Sequence, residues 1–154
     1  MAGTVEGRLK EAGIVLPAPP PPAGNYVPVV VTGNLAVVSG QIAARDGRVA
    51  IKGRLGADVS IEQGQEAAKL CAVNILAQLK AAIGDLDRVR RCVRLAGFVA
   101  CTPDFTDQPK VMNGASDLMA LAFGEAGKHA RAAVGAPSLP LGTAVEVEAL
   151  FEIG

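Results

Sequence analysis

The chain ends in strict alternation: Val145, Val147, Ala149, Phe151 and Ile153 are apolar, while Glu146, Glu148 and Glu152 occupy positions between them. A period of two gives a strand with one buried face and one face carrying carboxylates. The preceding segment, "HARAAVGAPSLPLGT", is rich in small residues and contains a Pro/Gly turn, so the pattern predicts a closing β-hairpin. Upstream, "NYVPVVVTGNLAVVSGQIA" reads as two further strands joined at a Gly33-Asn34 turn. Between these hairpins the period changes. Ser60 and Gln63 form a capping box, Ala68, Ala72, Ile75, Leu76, Leu79 and Ile83 follow helical spacing, and Gly84 supplies the stop. "RVRRCVRLAGFVAC" alternates as a strand from Arg88 to Cys101, with Val89, Val93, Leu95 and Val99 on one side and Arg88, Arg90, Arg94 and Phe98 on the other. "TPDFTDQP" is turn chemistry opening a second helix that ends at Gly124 or Gly127.

At the start, "TVEGRLKEAG" predicts a short helix stopped at Gly13, and "LPAPPPPAG" must run extended because prolines fix φ and lack amide donors. Residues 44–59 are polar and glycine-punctuated, fitting an exposed ribbon or a long loop. The order β-β-(ribbon)-α-β-α-β-β predicts an α+β fold: a mostly antiparallel or mixed sheet with both helices on a single face. The other face, mixing carboxylates, arginines and apolar residues, predicts contact with further copies of the chain.

Two charged residues interrupt the last segment, Arg131 and Glu146. If the hairpin turns symmetrically about "APSLPLG", Arg131 lies opposite Glu146, and Ala132 and Val134 fall with the core valines. One reading is an ordinary cross-strand ion pair. The other is a carboxylate-binding guanidinium beside a carboxylate that handles a water.

A length of 154 residues suits one domain over 1–154, whose first 24 residues are the helix and proline-rich strap. With 15 basic and 15 acidic residues, no Trp and 3% aromatics, the composition speaks against nucleic acid as a partner. No signal-peptide pattern or membrane-length apolar run is visible, which predicts a cytoplasmic, membrane-free protein. Cys71, Cys92 and Cys101 lack CxxC spacing and sit in apolar patterns, so they read as small core hydrophobes.

The run "RAAVGAPSLPLGTAVEVEA" from Arg131 resembles the C-terminal signature of the RidA/YjgF family of reactive-intermediate deaminases, also described as L-PSP endoribonucleases. "YVPVVVTGNLAVVSGQI", from Tyr26 to Ile42, is similar to the family's N-terminal hairpin, with Gly33, Asn34, Ser39, Gly40 and Gln41 in register. Asn113 stands near a helical asparagine of the family, with one extra residue before Arg131. The resemblance implies a chorismate-mutase-like subunit forming a homotrimer with clefts between subunits. It implies hydrolysis of 2-imino acids or their enamine tautomers to 2-keto acids and ammonia, without metal or cofactor. Arg131 would grip the substrate carboxylate and Glu146 would orient the water. Tyr26, Ser39, Gly40, Asn113 and Ala133 would line the cleft, Gly40 and Ala133 through their backbones.

The chain departs from the family pattern at Ala133, where a cysteine is usual, at Asn25, where proline is common, and in its longer N-terminus and ribbon. It therefore resembles a longer-chain subgroup. Two alternatives to the enzyme stay open: a non-catalytic trimer that binds small carboxylates, and a ribonuclease suggested by Arg88, Arg90, Arg91 and Arg94. A single histidine, His129, supplies no acid/base pair for RNA cleavage, and its own role, structural or in proton transfer, is open. Glu148, on the face of Glu146, reads as an interface charge.

Overall fold

The computed structural model describes residues 4–154. In order, the elements are α1 (Val5–Glu11), β1 (Val29–Thr32), β2 (Leu35–Ile42), β3 (Ala44–Arg45), β4 (Arg48–Val49), α2 (Ile61–Ile83), β5 (Val89–Ala100), α3 (Gln108–Phe123), β6 (Ala130–Ala136) and β7 (Val145–Ile153). Short 3-10 turns lie at Leu86–Arg88, Gly124–Gly127 and Pro140–Gly142.

Local sequence signals set the element boundaries. The Ser60 hydroxyl accepts from Gln63 N while the Gln63 side chain accepts from Ser60 N, so both donors are satisfied and α2 starts there. Gly84 ends α2 at φ 88°, a left-handed conformation that costs glycine nothing. Pro109 in the first turn of α3 loses no helical hydrogen bond. Thr32 and Leu35 pair across Gly33-Asn34, closing the first hairpin. The ribbon is two strands of two residues each.

Five strands form one mixed sheet in the order β1-β2-β7-β5-β6. This corrects the predicted closing hairpin. Strand β6 does not pair with β7; it pairs in parallel with β5, and β5 pairs antiparallel with β7. The segment β5-α3-β6 is a crossover unit, and a parallel partner can be reached only by such a crossover. The "APSLPLG" link is no tight turn either. Gly142 O accepts from Gly53 N, Ile51 O from Ala144 N, and the buried Thr143 hydroxyl accepts from Ala43 N and donates to Val145 O. Anchored to residues 43–53, the link carries the chain across the end of β5 and returns it on the other side.

The helices cover one face. Val145, Val147, Ala149, Phe151 and Ile153 of β7, with Leu95 and Val99 of β5, pack beneath Ile75, Leu76, Leu79, Met112, Ala115 and Met119. Register shifts at Val89/Arg91 and Cys92/Arg94 interrupt the alternation of β5, so Cys92 takes the buried position that the pattern gave to Val93. The strap passes over α2, with Pro20 O accepting from Gln78 Nε2, and α1 seats Val5 and Leu9 in the core. The three cysteines are free and buried. Burial pushes the Cys92 thiol up to about 12 and holds that of Cys71 well above the usual range, so both stay protonated as packing groups.

The helices approach closely at Gly114, where an added Cβ would strike the Gln65 backbone. Gly114→Ala should therefore destabilise by about 1–3 kcal/mol, despite alanine's better helix propensity. Urea unfolding checks this; a midpoint at or above wild type contradicts the close approach.

Candidate functional site

The predicted site residues fall into two groups on different parts of the sheet. The first is built around Arg131 on the edge strand β6. Arg131 stands level with Leu95, and Ala133 with Gly97, both on the buried face; Ala132 and Val134 stand level with Ala96 and Phe98 on the open face. This reverses the predicted placement of β6, because the faces were inferred from a hairpin register that does not form. Arg131 therefore turns toward α3. Its Nη1 donates to Asn113 Oδ1 at 2.9 Å and Ser116 Oγ at 3.0 Å, and Nη2 donates to Pro109 O at 3.2 Å. Residues 109, 113 and 116 are spaced four and three apart, so one side of the helix meets the arginine. A hollow of about 410 Å³ bounded by Asn113, Ser116, Asp117, Lys128, His129 and Arg131 opens beside it.

A guanidinium has five N–H donors. Three are used here, and those that remain lie on adjacent atoms, Nε and Nη2. All three acceptors are neutral, and no salt bridge among the described residues involves Arg131. The arginine is half-buried and oriented, and among the described residues it has no counterion.

The second group lies on β1, β2 and β7. Glu146 stands opposite both Phe98 and Ile42, on the open face. A Cβ at Gly40 would collide with its carboxylate, so glycine leaves room for the side chain in this position. Ser39 bonds to Val27 O through its hydroxyl, at 3.0 Å, and to Pro28 O through its amide, which lays the Tyr26 segment alongside Gly40. Tyr26 itself is 49% exposed. Burial, and secondarily the charge of Glu148 two residues on, raise the Glu146 carboxyl above its ordinary range.

Arg131 and Glu146 are thus not cross-strand neighbours. They lie on opposite faces, with β5 between their strands, and their backbones differ by two strand spacings and three residue rises, each roughly 10 Å. Ion pairing between them within one chain is excluded. The sequence pattern had identified neither Ser116 nor the Pro109 carbonyl, although both share the helical side of Asn113. Among the described residues no group of three or more His, Cys, Asp or Glu is placed to hold a metal, and no helix is long and apolar enough to cross a membrane.

A glutamate forced to ionise in a half-buried site opposes folding. Because its folded pKa is raised, the neutral form stabilises the protein fully below the unfolded pKa, and that contribution is lost as pH rises through the folded value. Glu146→Gln should accordingly raise the melting temperature by about 1–3 °C at pH 7.5 and leave it unchanged below roughly pH 4. Melting curves at both pH values test this; an equal gain at both would remove ionisation as the cause.

Comparison with known proteins agrees with this architecture. Residues 6–153 match the family model described as "YjgF/chorismate_mutase-like, putative endoribonuclease". Protein TCP17 of Trypanosoma cruzi is 49% identical over 153 residues, covering 99% of this chain and 96% of its own. Among solved structures, Atu1372 of Agrobacterium tumefaciens is 52% identical with a TM-score of 0.92, covering 97% of this chain and 92% of the other. A Shewanella oneidensis protein solved under an endoribonuclease description is 37% identical with a TM-score of 0.95, covering 98% and 100%. Escherichia coli TdcF, solved with bound serine, shares the fold at 21% identity and a TM-score of 0.65, covering 89% and 94%. With the matched model spanning nearly its whole length, the chain belongs to the YjgF/chorismate-mutase-like (RidA/L-PSP) family.

Proposed function

We propose that this protein hydrolyses small 2-imino acids to 2-keto acids and ammonia in clefts between copies of the chain, Arg131 coming from one copy and Glu146 with Tyr26 from the next. The observation that carries the reading is the state of Arg131. A guanidinium braced by three neutral acceptors, with adjacent N–H groups on Nε and Nη2 uncommitted, fits a planar carboxylate side-on. The separation of the two groups fits a shared cleft. A four-carbon acid cannot reach from Arg131 to Glu146 through the sheet, but cyclic packing can set the β6 edge of one copy against the β1-β2-β7 end of another. Exposed Val30 and Val37, with the half-buried Phe98 and Leu150, give the open face apolar surface for that packing. Serine bound to TdcF is a small carboxylate on the same fold, which is consistent with this ligand class.

The chemistry asks little of the protein. The carboxylate held by Arg131 fixes the direction in which the electrophilic imine carbon faces. With the imine protonated, Glu146 accepts a proton from water as the oxygen bonds to that carbon and the C=N electron pair moves to nitrogen, giving a carbinolamine. Glu146 returns that proton to nitrogen and then takes the hydroxyl proton as the C–N bond breaks, so ammonia leaves as the carbonyl forms. A carboxyl whose pKa is raised by burial is a stronger base than an exposed glutamate.

The four arginines behind the ribonuclease reading, Arg90 and Arg94 among them, are exposed, and the other two have assigned neighbours in the fold. Arg88 is committed to Ile83 O and Gly154 O, and Arg91 stands level with Glu152. The test is direct: 2-iminobutanoate generated in place, with semicarbazide as a competing trap, should disappear faster when the protein is added. Absence of acceleration, with 2-oxobutanoate still bound, would leave a non-catalytic carboxylate binder. A chain that remains monomeric at micromolar concentration in light scattering would leave each group alone and remove the shared cleft.

A further inference from the structure

The single histidine of the chain is tied to Arg131 through one hydroxyl. His129 Nδ1 lies 2.6 Å from Gly127 O, and its Nε2 lies 2.9 Å from Ser116 Oγ, the same oxygen that accepts from Arg131 Nη1 at 3.0 Å. Donor arithmetic fixes the direction of this chain. A carbonyl only accepts, so Nδ1 carries the hydrogen; in the neutral ring Nε2 is then an acceptor. In the neutral ring the Ser116 hydroxyl gives its hydrogen to Nε2, and in either form its oxygen offers a lone pair to the guanidinium.

A serine inside a helix either faces solvent or turns its hydroxyl back to the carbonyl four residues earlier. Here the imidazole draws it outward instead. The imidazole is held in its turn, because Gly127 is buried against Met119 and Ala120 so tightly that a Cβ there would strike the Met119 carbonyl. The loop Gly124–Gly127 is thereby clamped to α3, and His129 leaves it at a fixed distance from Ser116.

We infer that Ser116 and His129 are positioning residues: the pair fixes the rotation of the Arg131 guanidinium, so that its uncommitted Nε and Nη2 hydrogens face the carboxylate subsite. Asn113 and the Pro109 carbonyl hold the group from one end of its helical side, and the Ser116–His129 pair holds it from the other. The inference rests on the carboxylate-binding role given to Arg131 above for its consequence, though not for its geometry. It predicts an effect on binding, since neither residue touches the reacting carbon or water.

Ser116→Ala should weaken binding of 2-oxobutanoate, measured by calorimetry, by about tenfold, the scale of one hydrogen bond to a charged group. It should raise KM for 2-iminobutanoate to match while leaving kcat within about twofold. Ser116→Thr, which keeps the hydroxyl, should restore both; His129→Gln, tested beside it, should fall between wild type and Ser116→Ala. A readout free of ligand accompanies these. Nitrogen-15 spectra of the Arg131 guanidinium should show slow rotation in wild type and Ser116→Thr, and faster rotation in Ser116→Ala and His129→Gln. Unchanged guanidinium rotation in a folded Ser116→Ala protein, or an equal loss in Ser116→Thr, overturns the inference. If the wild type neither binds 2-oxobutanoate nor consumes the imine, the proposed function fails, and the guanidinium spectra still decide the positioning role.

Discussion

Arg131→Ala is expected to lower kcat/KM for 2-iminobutanoate by roughly 30- to 1000-fold, the equivalent of about 2–4 kcal/mol for losing a charge-assisted, partly desolvated contact to a carboxylate. The size of the effect follows from how little else is present to hold the substrate. Arg131 is the cation brought into the hollow by three hydrogen bonds from below, whereas Lys128 on its rim is already paired with Glu125 at 3.1 Å. Arg131→Lys should recover only a small part of the activity. An ammonium can replace the charge, but it cannot donate in parallel to two oxygens while also bonding Asn113, Ser116 and Pro109. Because those bonds also join β6 to α3, the variants should lose some stability, and melting curves must accompany the kinetics. A folded Arg131→Ala protein that hydrolyses the imine at the wild-type rate would end the proposed role of this residue.

Several local features were legible in the sequence. The capping box at Ser60, the stop at Gly84 and the Gly33-Asn34 turn are settled by neighbouring residues, and each stands where its pattern placed it. The alternation of β7 named its buried face correctly, since a nine-residue strand with five apolar positions has one way to lie against the helices. What the pattern could not supply was the partner of β6. In "RAAVGA" every residue but Arg131 is small or apolar, so either face could be buried, and the choice was made by β5 lying alongside in parallel, thirty-odd residues away in sequence. Misplacing that strand misplaced Arg131 and created a cross-strand pair that the fold does not contain. The match in motif spacing survived the error, because spacing along the chain is indifferent to which strands are neighbours. Ser116 escaped notice for a related reason: nothing in "NGASDLMA" distinguishes it from a solvent-facing serine until β6 is laid beside that helix.

The division of the candidate residues between the two faces of the sheet makes a prediction that a single-chain site cannot share. Arg131→Ala and Glu146→Gln proteins should each be nearly inactive alone, the second because a general base contributes about 100- to 10,000-fold. Refolded together in equal amounts, they should regain activity. If each cleft takes its arginine from one subunit and its glutamate from the next, a cleft is intact when the first subunit carries only Glu146→Gln and the second only Arg131→Ala. Random assembly produces that arrangement at about one cleft in four, so the mixture should show about a quarter of wild-type activity. A site built within one chain can never be repaired this way, because every subunit in the mixture lacks one of the two groups. Differently tagged subunits recovered in the same particle by native mass spectrometry establish that mixing took place. Mixed particles without activity would rule out the shared cleft. They would leave Arg131 and Glu146 as parts of separate surfaces, in agreement with the two faces they occupy in a single subunit.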